Sequence, residues 1–174
     1  MHACLDASYG DEKATAACVL FRDWRDGSSA GEFTALTDAV NPYIPGRFFL
    51  RELPVLLAVL AKVAEPPETL IVDGYVWLDA RRSPGLGAHL HQAVGRGTPV
   101  IGVAKSLYRG APAVKLIRGT GSRPLFISAA GMKMEEAAER IRIMHGPYRL
   151  PTLLRRADEL CRRNTHPAGA PPST

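Results

Sequence analysis

The chain has 174 residues, 46% of them apolar and 22% charged, which suits one domain with a substantial core and excludes a disordered or fibrous protein. No run approaches the roughly 18 uninterrupted apolar residues of a membrane-crossing helix. The start, Met1-His2-Ala3-Cys4, lacks the basic-then-apolar form of an export signal, so a cytoplasmic location without membrane attachment is expected. The net charge of +5 favours an anionic partner.

Taken in order, His2 to Ser8 reads as a short apolar strand with Asp6 near its end. After the turn Tyr9-Gly10-Asp11-Glu12, Ala14 to Phe21 reads as a second strand. A polar loop then leads to a third, Glu32 to Val40, and the short connections predict an antiparallel meander. Pro42, Pro45 and Gly46 fix a stiff turn that presents Tyr43. Leu53, Leu56, Leu57 and Leu60 recur at helical spacing, with Pro54 suited to the first turn, where its missing N–H costs nothing. That helix runs to about Ala64, before Glu65-Pro66-Pro67-Glu68, and Glu52 stands at its mouth.

Thr69 to Val72 is an apolar strand ending at Asp73-Gly74, Ser83 to Val94 a helix, and Pro99 to Ala104 a strand ending at Lys105. These lengths predict a parallel βαβ unit. Val114 to Arg118 and Leu125 to Ser128 form a hairpin around Gly119-Thr120-Gly121-Ser122. Helices follow over Met134 to Met144 and from Pro151 to about Arg163, and the Pro- and Ala-rich residues from Asn164 to Thr174 read as a flexible tail behind a domain of residues 1–163. The architecture is α/β: three antiparallel strands continuing into a parallel pair, with helices on both faces. Cys4, Cys18 and Cys161 lack metal-ligand spacing and read as buried, reduced thiols.

Three carboxylates converge in this arrangement. Asp6 and Asp73 close strands that can be neighbours, ligands gather at the carboxyl ends of such strands, and Glu52 enters from the helix mouth. Each acid alone has an ordinary explanation as a loop contact, a turn residue or helix-end electrostatics. Together they repel unless a cation sits among them, and hard oxygen ligands suit Mg²⁺ or Mn²⁺. Such an ion activates water against a phosphodiester. Residues 140–163 hold seven arginines against Asp158 and Glu159; this is either a solvated helix face or a phosphate-binding surface.

In order and rough spacing, Leu5-Asp6-Ala7-Ser8-Tyr9, Pro42-Tyr43-Ile44-Pro45-Gly46 with Arg51-Glu52, Val72-Asp73-Gly74, Ile101-Gly102-Val103-Ala104-Lys105 and Arg149-Leu150-Pro151 resemble the endonuclease V family. The resemblance implies a ribonuclease-H-like fold and Mg²⁺-dependent cleavage at the second phosphodiester 3′ of a deaminated base, deoxyinosine in DNA or inosine in RNA, in nucleic-acid repair or processing. It makes Asp6, Glu52 and Asp73 the metal-binding acids and Lys105 a catalytic group beside the scissile phosphate. Tyr43 matches a wedge that props the strands apart. Ile44, Pro45, Gly46, Gly74, Arg81, Arg149 and Arg155 are implied as further nucleic-acid contacts. The physics agrees: an aromatic ring on a rigid turn can enter a base step, and a lysine at a strand end places positive charge where phosphate charge builds up.

Three residues depart from the family pattern. Val76 replaces a second glycine, limiting backbone approach to a flipped base. Asp79 stands where a histidine is expected, as an extra ligand or an unfavourable buried charge. Met132 matches the place of an active-site histidine, with Glu135 or Glu136 as substitutes. His89 and His91, two apart, point away from each other on a helix, and His89 reads as structural. The readings that follow are an inosine-directed endonuclease, a nuclease of the same fold with another lesion or structure specificity, and a binding module that has lost turnover.

Overall fold

The computed structural model describes residues 1–10, 13–37 and 49–165, with backbone alone at 164 and 165. Its strands are β1 (His2–Tyr9), β2 (Ala14–Phe21), β3 (Gly31–Thr37), β4 (Thr69–Asp73), β5 (Val100–Ala104), β6 (Val114–Leu116) and β7 (Leu125–Ala130). The helices are α1 (Phe49–Leu60), α2 (Leu86–Ala93), α3 (Met134–Ile143) and α4 (Thr152–Thr165). One seven-stranded mixed sheet has the order β3-β2-β1-β4-β5-β7-β6.

The first three strands form the expected meander, and β4 then returns through α1 to lie parallel to β1, with Leu5 opposite Val72. β5 adds a second parallel pairing, with Val72 opposite Gly102. The hairpin that follows continues the sheet: β7 pairs antiparallel with β5, leaving β6 at the edge. β4 and β5 are buried nearly throughout because helices cover both faces. That is why they read as continuous apolar runs rather than alternating ones.

Side-chain alternation sorts the sheet into two apolar layers. Leu5, Leu70 and Val72 meet Val55 and Val59 of α1 and Leu90 of α2 on one face. Cys4, Ile71 and Ile101 meet Ile141 of α3 and Leu153 and Ala157 of α4 on the other. Each buried Val, Leu or Ile among them contributes roughly 1.5–3 kcal/mol, so both layers hold the strand register firmly. By the same alternation Asp6 continues the Cys4 side and Asp73 the Ile71 side. Both carboxylates therefore emerge toward α4 at the carboxyl ends of neighbouring parallel strands, and Glu52 approaches from α1 on the opposite face.

Some boundaries differ from the sequence reading. Phe49 is already helical, so Pro54 lies inside α1 rather than in its first turn. α2 starts at Leu86 instead of Ser83, because Pro84 bridges to Trp77 and the Gly85 N–H donates to the Val76 carbonyl. β6 stops at Leu116, and Arg118 beyond it is buried. Its guanidinium donates to the carbonyls of Met144 (2.5 Å), Tyr148 (2.6 Å) and Gly146 (3.1 Å), closing the turn that leads into α4. α4 continues to Thr165, past the expected end of the domain, and the remainder of the expected tail lies outside the described residues. Cys4, Cys18 and Cys161 are all buried. Among the described residues no helix is long and apolar enough to cross a membrane.

Candidate active site

A cavity of about 470 Å³ opens where β1 and β4 end, and Asp6, Glu52, Asp73, Lys105 and Asp158 line it. Asp6 is fixed by its own backbone: the Ala7 N–H donates to its Oδ1 at 2.9 Å. Burial, and then the charge of Asp73, push its carboxyl up to about 7. Glu52 is 8% exposed, and its Oε2 has no hydrogen-bond partner among the described residues. Burial, then Asp6 and Asp73, push it up to about 8. Two acids held this far above the carboxylate range are acids short of positive charge.

Asp73 has found some. Lys105 Nζ donates to its Oδ2 at 2.5 Å. Burial pulls the lysine down, but the hydrogen bond and charge of Asp73 outweigh it and leave Lys105 above its ordinary value. The Lys105 backbone is held from below, since the Arg149 guanidinium donates to its carbonyl and, at 2.7 Å, to that of Pro124. The following loop is pinned by Tyr75, whose hydroxyl donates to the Ser106 carbonyl (2.9 Å) and accepts from the Tyr108 N–H (3.1 Å). Close packing sets the turn after β4: a Cβ on Gly102 would lie 2.6 Å from the Gly74 carbonyl oxygen and 2.7 Å from Ser128 Oγ. Gly74 itself takes φ +129°, a conformation open to glycine. Phe49, Leu86 and Tyr108 give the cavity an apolar wall. Phe49 is stacked on His89 with ring centroids 3.7 Å apart, which ties α1 to α2 and gives His89 a structural role.

Asp158 is the residue that sequence reasoning missed. It projects from α4, one turn after buried Leu154 and one turn before buried Cys161, and accepts from Arg162 Nε at 2.8 Å. An acid on the buried stripe of an arginine-rich helix was the readable signal. Met132 is elsewhere, in a neighbouring cavity with Trp77 and His91, and the acid that α4 brings to the carboxylate-lined cavity is Asp158. Glu135 and Glu136 are exposed, and Glu136 pairs with Arg140 at 2.7 Å. Val76 is buried with Ala88 and Ala130 and does not line the acidic cavity. Asp79 lies outside the acidic cavity and closes a surface turn, accepting from the Arg81 and Ser83 N–H groups and the Ser83 hydroxyl.

The other expected nucleic-acid contacts scatter. Tyr43, Ile44, Pro45 and Gly46 lie outside the described residues. Gly74 lines the cavity. Arg81 is exposed on the Asp79 turn, and Arg155 lies over the Tyr148 ring at 4.9 Å. Much of the arginine surplus is paired on the surface: Arg142 with Glu139, Arg156 with Glu32, Arg162 with Asp158.

The donor set suits a hard divalent cation. It is all oxygen, it includes an orphaned buried Oε2, and small voids lie among the acids. One of about 20 Å³ is bordered by Asp6, Asp73, Lys105 and Asp158, and one of about 10 Å³ by Asp6, Glu52 and Asp73. Among the described residues no three acidic, histidine or cysteine side chains already stand as a ligand cluster; the Lys105 ammonium sits on Asp73 instead.

The family model for endonuclease V matches residues 1–120. The endonuclease V of Streptomyces avermitilis is 33% identical over 91% of this chain and 78% of its own. That of Thermus thermophilus is 34% identical over 89% and 78%. The crystal structure of the Streptomyces avermitilis enzyme superposes with a TM-score of 0.78 at 31% identity, covering 97% of this chain and 82% of that one. Ciona intestinalis endonuclease V, solved with a DNA 23mer containing an inosine followed by a ribo-adenosine, gives 0.78 at 20% identity, covering 94% and 84%. By sequence over most of its length, and by fold, the chain belongs to the endonuclease V family.

Proposed function

We propose that the protein is a divalent-metal-dependent endonuclease that hydrolyses a phosphodiester beside a deaminated base, inosine, in DNA or RNA. One observation carries the reading: carboxylates from β1, α1, β4 and α4, far apart in the chain, line one cavity with a lysine. The inosine-containing DNA bound by the Ciona intestinalis relative supports the substrate class.

When bound, Mg²⁺ or Mn²⁺ supplies Lewis-acid polarisation of the phosphate and an activated water. Asp6 and Asp73 would hold the ion from neighbouring strand ends. Glu52 enters from the other face as third ligand or as the base that orients the attacking water. Asp158 closes the acidic ring from α4. Lys105, paired with Asp73 at the mouth of the cavity, would place its ammonium where negative charge grows on the phosphate. The apolar wall of Phe49, Leu86 and Tyr108 offers a planar base a surface to enter, and the family resemblance makes Tyr43 the wedge. A module without turnover was suggested by Val76 and Met132, neither of which lines this cavity.

The test is an end-labelled strand with one inosine, as DNA and as RNA, incubated with Mg²⁺ or Mn²⁺. A single cut near the inosine, lost in Asp73→Ala, is expected. If neither strand is cut and Asp73→Ala behaves like the parent, the reading is wrong.

A further inference from the structure

Beyond Pro84 lies a second cavity of about 540 Å³, within the roughly 300–1,000 Å³ of small-ligand clefts. Pro84 lines both cavities, so only the turn of residues 75–85 separates them. Their chemistry is opposite. Where the first is ringed by carboxylates, the second gathers Arg82, Arg96, His91 and Gln92 about the Trp77 ring, and among the described residues no acid lines it.

The wall is built rather than incidental. Val76, Ala88 and Ala130 form an apolar cluster against which Trp77 packs. The Trp77 indole N–H donates to the Ala129 carbonyl at 3.1 Å, which fixes the ring. Asp79 closes the turn, accepting from the Ser83 hydroxyl at 2.6 Å, and the turn puts Arg82 at φ +61°, the one non-glycine residue with positive φ among the described residues. The Arg82 guanidinium carbon lies 5.7 Å from the Trp77 ring centroid, within cation–π range. His91 Nδ1 lies 2.9 Å from the Thr98 carbonyl oxygen, so Nδ1 carries the proton and Nε2 is the acceptor of the neutral ring. Of the three departures from the family pattern, Met132 lines this cavity, Val76 sits in the apolar cluster behind Trp77, and Asp79 holds the turn that carries Arg82.

We infer that this cavity holds one nucleotide of the strand flanking the cleavage site, its base on Trp77 and its phosphate between Arg82 and Arg96. The inference rests on the proposed nucleic-acid substrate. A strand leaving the acidic cavity has only to pass Pro84 to reach Trp77. Stacking on an aromatic ring accepts any base and adds roughly 5- to 150-fold per base, while paired guanidinium groups track the backbone. A free nucleoside monophosphate has the same chemistry and is distinguished by the test.

The experiment uses the full chain with Trp24→Phe, which leaves Trp77 as the sole tryptophan of the two. It is titrated in a metal chelator with an inosine-containing single strand, with the same strand shortened nucleotide by nucleotide from each end, and with deoxyadenosine monophosphate. The strand should quench Trp77, and removal of one particular flanking nucleotide should abolish the quench and weaken binding roughly tenfold. Arg82→Gly keeps a backbone that glycine tolerates. Combined with Arg96→Ala it should weaken binding by a similar factor and flatten the log–log salt dependence by about 0.7 for each phosphate that is no longer neutralised. Quenching by the strand alone assigns the cavity to the flank; quenching by the mononucleotide as well assigns it to nucleotides generally. No quench by either, or a double variant with unchanged affinity and salt slope, overturns the inference. Cleavage is scored separately: an inosine strand cut normally with no quench refutes only the cavity, and a quench without cleavage in Mg²⁺ or Mn²⁺ refutes only the proposed function.

Discussion

Replacing Glu52 with glutamine removes its titration while keeping its shape, and the site predicts that the metal-free protein gains stability at neutral pH. Glu52 is buried, its Oε2 lacks a partner among the described residues, and its carboxyl is raised to about 8 from an ordinary 4.5. The sign follows from linkage: a raised acid leaves stability intact below about pH 4.5 and removes it as pH rises toward the folded value. At pH 7 the folded state must take up a proton that the unfolded chain has released, at ~1.4 kcal/mol for each of about 2.5 units, or on the order of 3 kcal/mol. Glutamine needs no proton. For a chain of this size that difference is roughly 6–12 °C in melting temperature. Thermal unfolding in a metal chelator from pH 4 to 9, followed by circular dichroism, measures it. Parent and Glu52→Gln should coincide near pH 4 and diverge steadily to about pH 8, and saturating Mg²⁺ should narrow the gap by stabilising the ionised carboxylate. Cleavage should meanwhile fall by ~10²–10⁴, the range of a lost acid–base group. Melting temperatures that stay a constant distance apart at every pH would show that Glu52 carries no such strain.

Other consequences are as direct. Asp158→Asn should retain the melting temperature of the parent within a few degrees yet lose most cleavage, measured as single-turnover rate on an inosine strand; undiminished cleavage would remove Asp158 from the site. Lys105→Met should tighten Mn²⁺ binding in calorimetry by up to about fivefold, because the half-exposed ion pair on Asp73 is worth at most ~1 kcal/mol, while slowing cleavage. Gly102→Ala should cost about 1–3 kcal/mol of stability in urea unfolding, since the new methyl meets the Gly74 carbonyl and Ser128.

How far the residues alone reveal this molecule depends on whether a feature is local. The apolar runs at β1, β2, β4 and β5 and the acids closing β1 and β4 are local patterns, and Asp6 and Asp73 follow from them. Glu52 is legible as a charge in a helix that must be buried. Asp158 is local too, but the neighbouring arginines mask its place on the buried stripe. Other features belong to the tertiary structure. The insertion of β7 between β5 and the edge strand depends on pairing across distance, and nothing in Leu125–Ala130 states it. An arginine turned inward to carbonyls, as Arg149 is, has the same one-letter code as one facing phosphate. The Trp77–Pro84 bridge delays α2 and carries Asp79 to the surface, so a motif comparison that placed Asp79 near the metal could not see the turn.

If Asp6, Glu52, Asp73 and Asp158 form a cation site, a crystal soaked in Mn²⁺ will reveal it by anomalous diffraction. A peak is expected between Asp6 and Asp73, with Lys105 moved off Asp73 and Glu52 or Asp158 turned toward the ion. Full manganese occupancy elsewhere, with the Lys105–Asp73 pair intact, would contradict the proposed site.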